Sequence, residues 1–133
     1  MRTITTGLLL GALCLGLTGC AGVGERTGAA RRAAVAFEEA LRASDALRAC
    51  AALAPGTREE LESDGPCPAA LAGLDLAADA GSPLRTEVYG KQARVAFEDD
   101  LVFLASFPEG WKVTAAGCTP RPERPADCEV EGP

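Results

Sequence analysis

Histidine is absent from this chain of 133 residues. That absence removes the usual general base, the commonest metal ligand and the one side chain that titrates near neutrality. Lysine is scarce too: Lys91 and Lys112 stand alone, and the arginines are scattered among acids. With a formal charge of -6, the chain lacks the clustered cations that grip phosphate backbones or anionic headgroups, which excludes nucleic acid as a partner. No Cys-x-x-Cys occurs, and without histidine to complete a zinc set neither a metal site nor a cofactor is expected. No apolar run reaches the about 20 residues that a membrane-spanning helix needs.

What is present fits one small domain. Phe37, Phe97, Phe103, Phe107, Tyr89 and Trp111 supply bulky material for a core, so the chain reads as globular and not disordered. Ahead of that domain, residues 1–19 run from Arg2 through the apolar stretch Gly7 to Leu17 and end in small residues. This is the layout of a cleaved signal peptide.

The tetrad Leu17-Thr18-Gly19-Cys20 resembles the lipobox of bacterial lipoproteins, whose cysteine takes a diacylglycerol and becomes the first residue of the mature chain. The resemblance implies cleavage before Cys20 and a partner in the membrane itself, with acyl chains such as palmitate holding the protein on the outer face of the cytoplasmic membrane. Two acyl chains matter physically, because one gives only marginal, reversible binding. The competing explanation is an ordinary secretory leader with a spare thiol at Cys20; Cys14 reads as leader core. Residues 21–28 are small and polar without apolar periodicity, which predicts a short flexible tether after the lipidated cysteine.

From residue 29 the pattern is helical. Ala30, Ala33, Ala34, Phe37, Ala40 and Leu41 form one stripe, with Arg31, Arg32, Glu38, Glu39 and Arg42 largely off it. Ser44-Asp45 offers an N-cap for a second helix with Leu47, Cys50, Ala51 and Leu53 toward the core, stopped by Pro55-Gly56. Thr57 and Glu60 have the spacing of a capping box for a third, and a fourth is expected from Pro68 with Leu71 and Leu74. After Gly81-Ser82-Pro83 the sequence turns to short segments rich in branched and aromatic residues. Strands are predicted at 85–89, 92–97, 101–107 and 111–116, joined by turns tight enough to make neighbours antiparallel. Residues 119–133 read as a proline-rich tail tied back by Cys128.

The fold class is therefore α+β, with N-terminal helices packed on a curved antiparallel sheet of about four strands. Helices followed by this meander, with Val88-Tyr89-Gly90, Trp111-Lys112-Val113 and Gly117-Cys118 in order, resemble the NTF2-like (cystatin-like) family over residues 29–118. They also resemble the small lipoproteins common in high-GC Gram-positive bacteria. The NTF2-like resemblance implies a cone with an open mouth, in a family holding isomerases, cyclases and non-catalytic modules, so fold alone does not choose a function.

Four cysteines remain in the domain, Cys50, Cys67, Cys118 and Cys128, an even number suited to an oxidising compartment. Of three pairings, Cys50 with Cys67 and Cys118 with Cys128 are expected because each closes a short loop containing proline; a Cys50 to Cys118 bridge stays open. For chemistry, Glu87 and Tyr89 share one strand face and could serve as carboxylate base and oxyanion holder, with Arg94 and Trp111 as further polar cavity candidates. The same spacing describes a rim with a half-buried tyrosine. Glu98-Asp99-Asp100 reads as a solvated turn before it reads as a cation site, and Glu59, Glu60, Glu62 and Asp64 as an acidic helix face. The expected function is a non-catalytic lipoprotein module binding a small apolar ligand or a cell-envelope protein, with a small cavity enzyme as the alternative.

Overall fold

The computed structural model describes residues 21–133; residues 1–20, the expected leader and Cys20, lie outside the described residues. Helix α1 (Ala21–Arg42) is built on a stripe of small residues: Ala30, Ala34, Phe37 and Ala40 are all fully buried. The alanines let the helix axis approach the sheet closely, and Phe37 fills the space between. The helix begins earlier than the sequence predicts, so residues 21–28 are its first two turns and not a tether. Three glycines argue against helix there, yet tertiary contact prevails over propensity. Arg26 donates to the Gly90 carbonyl oxygen and stands 5.7 Å over the Trp111 ring, tying the start of α1 to two hairpin ends.

Helix α2 (Ala46–Ala52) follows Ser44, whose φ of 55° ends α1, and is capped by Asp45, whose side chain accepts from the Arg48 N–H at 3.1 Å. That cap fixes the phase of the helix, burying Ala49 and Cys50. Leu47, expected in the core, is 75 % exposed, and Ala51 is exposed as well. Leu53 is buried and bridges to Val113, while the Ala54 N–H donates to the Val113 carbonyl at 2.7 Å. Helix α3 (Pro55–Leu61) starts at the proline, a residue whose missing N–H costs nothing in a first turn. Thr57 is thus inside the helix and caps nothing, contrary to the capping-box reading; buried, it donates to the Thr114 carbonyl oxygen at 3.1 Å. Helix α4 (Cys67–Ala72) buries Cys67 and Leu71.

The second half is one antiparallel sheet in the order β1-β2-β3-β4-β5: β1 Pro83–Tyr89, β2 Gln92–Phe97, β3 Leu101–Phe107, β4 Gly110–Arg121 and β5 Arg124–Glu131. Each strand pairs with the next in the chain, so the sheet is open, with β1 and β5 at its margins. It has five strands where about four are predicted. The segment read as a tail is the end of β4 and all of β5, joined through Pro122 and Glu123, the latter at a φ of 56°; a proline followed by a left-handed residue is the succession a type II turn uses. Prolines speak against a strand in the middle of a sheet, but at an edge the missing N–H faces solvent.

Alternation sorts the sheet into two faces. Ala93, Val95, Phe97, Val102, Leu104, Val113, Ala116 and Val130 are buried and join Phe37 in the core. On the other, open face the strand register lines up Glu87, Arg94, Phe103 and Ala115 across four strands.

Candidate functional site

Glu87 and Tyr89 do share a strand face, but it is the open one. The Glu87 carboxylate is clasped by Arg85 at 2.7 Å and Arg94 at 3.6 Å. Tyr89 is 66 % exposed beside the β1–β2 turn, so it is no part of the core that the sequence assigns it to. Neither residue reaches a pocket with the other, and the Glu87 carboxylate is engaged by two guanidiniums. Trp111 packs at the edge of the core under Arg26. The space between α1 and the sheet, where an open cone would hold its ligand, is filled by Phe37, Val95, Val102, Leu104 and Val113. Phe97 is buried there too, while Phe103 and Phe107 are only half-buried.

The most perturbed group, Glu38, is not among the candidates that the sequence offers. Glu38 on α1 is 7 % exposed and its Oε1 has no hydrogen-bond partner. Burial, reinforced by a hydrogen bond with Asp100 and by the charges of Asp100 and Asp79, pushes its pKa up to about 9. At neutral pH it is a neutral acid. Asp100 in turn accepts backbone N–H groups from Leu101 at 2.6 Å, Cys118 at 3.1 Å and Gly117 at 3.2 Å. A carboxyl pair therefore joins α1 to the β2–β3 turn and to β4. The run Glu98-Asp99-Asp100 is accordingly more than a solvated turn. Glu98 also accepts the Ser82 N–H at 2.7 Å, and a Cβ on Gly81, whose φ is 74°, would collide with the Glu98 carboxylate.

Glu38 was findable, since Ala30, Ala34 and Glu38 recur at the four-residue spacing of one helix face. Its hollow, about 340 Å³, is lined by Val35, Glu38, Arg42, Asp79, Ser82 and Phe97 among others. Among the described residues no group of three or more His, Cys, Asp or Glu side chains is placed to hold a metal ion. Glu59, Glu60, Glu62 and Asp64 are exposed, and Arg58 pairs with Glu62 at 2.9 Å, as an acidic helix face does.

Cys50 is bonded to Cys67 and Cys118 to Cys128. The first bridge ties α2 to α4; the second joins β4 to β5 directly, at paired positions. Loops of this size contribute on the order of 3 kcal/mol each in the chain-entropy account. On the sheet, residues of β2 to β5 and the chain end frame a hollow of about 430 Å³ whose lining includes Phe103, Ala105, Ala115, Ala126 and Cys128. It is largely apolar, and no titratable pair converges on it.

Comparison with family models, curated proteins and solved structures finds no match. The reading of function therefore rests on the chain's own residues. No helix among the described residues is long and apolar enough to cross a membrane.

Proposed function

We propose that this protein is an extracytoplasmic lipoprotein, held on the outer face of the cytoplasmic membrane through Cys20, whose domain binds and does not catalyse. The observation that carries the reading is the tetrad Leu17-Thr18-Gly19-Cys20 directly ahead of a domain closed by two disulfides. Bridges of that kind persist in oxidising compartments, and the short apolar leader supplies the route out of the cytoplasm. Binding is favoured over chemistry because the one strongly perturbed acid, Glu38, is spent on joining α1 to the sheet. Glu87 is held by Arg85 and Arg94, and Tyr89 faces solvent. The NTF2-like affinity is supported by element order, and the filled core moves any ligand from the inside of a cone to the open sheet face. There the apolar hollow around Phe103 suits a small apolar ligand or an apolar side chain of a cell-envelope protein.

The test is the intact mass of the protein extracted in mild detergent from its host. A diacylglyceryl increment on Cys20 with four hydrogens lost at the disulfides is expected, and Cys20→Ala should leave the membrane fraction. An unmodified Cys20, or a Cys20→Ala protein that still sediments with membranes, would refute the anchor.

A further inference from the structure

The start of α1 does more than open the fold. Its first residue, Ala21, follows the proposed lipid-bearing cysteine without a spacer, and a helix rises 1.5 Å per residue, which places Arg26 about 8 Å further along. Arg26 is fastened to the Gly90 carbonyl of the β1–β2 turn and lies over Trp111, which opens β4 just after the β3–β4 turn. Those two turns lie side by side, because the Ser106 N–H donates to the Lys91 carbonyl at 2.8 Å and Ser106 pairs with Trp111. Along the helix axis, one end of the sheet therefore sits about as far from the start of α1 as a headgroup layer is thick, roughly 5–8 Å. A flexible eight-residue linker would wander over about 16 Å and fix nothing.

That end carries the residues an interface prefers. Val23 is 67 % and Tyr89 66 % exposed, and Trp111 is half-buried; tyrosine and tryptophan favour the headgroup level, where one side of the ring is apolar and the other wet. The charges there are mixed, with Glu25 and Glu109 beside Arg26, Lys91 and Lys112, so attraction to anionic lipid is not what this surface offers. We propose that the domain rests with this end, Val23, Tyr89 and Trp111, in the headgroup layer of the bilayer that holds the lipid. The inference depends on the anchor at Cys20.

Trp111 is the only tryptophan of the chain and reports on the contact directly. The lipidated protein, purified from its host, is placed in phosphatidylcholine vesicles with or without a nitroxide at the headgroup, and vesicle flotation is measured on the same sample. The expected result is flotation with a roughly two-fold loss of Trp111 emission on labelled vesicles, unchanged in about 0.5 M salt. Val23→Glu with Tyr89→Glu should float equally well and recover most of the emission. Protein that floats with unquenched Trp111, or quenching that survives the double substitution, overturns the orientation and leaves the anchor standing. Protein that does not float overturns the anchor and the orientation with it.

Discussion

The two faces of the sheet treat a carboxylate in opposite ways. On the face covered by α1, Glu38 forms no ion pair among the described residues, although Arg42 lines the same hollow; burial and its acidic neighbours keep the proton on, and the neutral acid binds Asp100. On the open face Glu87 stands between Arg85 and Arg94 in water's reach. The difference teaches that a glutamate's position in a charged pattern does not reveal its state. What decides is whether the fold offers it a counter-ion or only a low-dielectric wall.

The sharpest way to break this contrast is to empty the covered face. Phe37→Ala removes a fully buried ring between α1 and the sheet and should cost about 3–5 kcal/mol in urea unfolding. Phe103→Ala, on the half-covered open face, should cost about 1 kcal/mol, because most of its cavity is already solvent. Equal losses would mean that the two faces are not distinct environments.

The second probe is pH. Glu38 has a folded pKa raised to about 9 from the model-compound value of 4.5, so between those values the folded state holds a proton that the unfolded chain has lost. Its contribution is fully present below pH 4.5 and is lost as pH rises toward 9, at up to about 1.4 kcal/mol per pH unit. Glu38→Gln keeps the shape and a donor toward Asp100 without a titrating proton. Relative to it, the wild type should lose stability steadily from pH 5 to 8, read by thermal melts across that range. Parallel curves would sink the neutral-acid assignment.

The smallest effect is expected from Glu87→Gln. It weakens two ion pairs whose arginines are substantially exposed, and such pairs are worth about 0–1 kcal/mol. A shift in melting temperature no larger than the scatter between preparations, vanishing in high salt, is the anticipated result. A large loss would give Glu87 a role beyond the surface pair.

Much of this architecture is legible in the residues. The alternation of Ala93, Val95 and Phe97 with Gln92, Arg94 and Ala96 specifies β2 and its buried face, and the alanine stripe specifies the buried side of α1. What escapes is decided by partners distant in sequence. The first turns of α1 form because Arg26 finds Gly90 and Trp111, sixty and more residues on, and no local pattern announces that. Leu47 faces solvent because Asp45 caps at Arg48 and sets the phase of a helix too short to correct it. Glu38 reads as polar by type, and only its i, i+4 relation to Ala34 hints at burial. For the site, the shared face of Glu87 and Tyr89 follows from strand period alone; which of the two faces it is depends on where the helices pack.

The edges of the sheet govern how copies of the protein meet. Both margins of the sheet bear prolines and charge: Pro83, Arg85 and Glu87 along β1, and Arg124, Pro125, Asp127, Glu129 and Glu131 along β5. Proline withholds the N–H that a neighbouring strand would seek, and charges make an incoming strand pay for desolvation. Under the proposed anchor, molecules held in one plane would collide edge-first and often, and the features that disguise β5 as a tail are those that oppose edge-to-edge strand pairing.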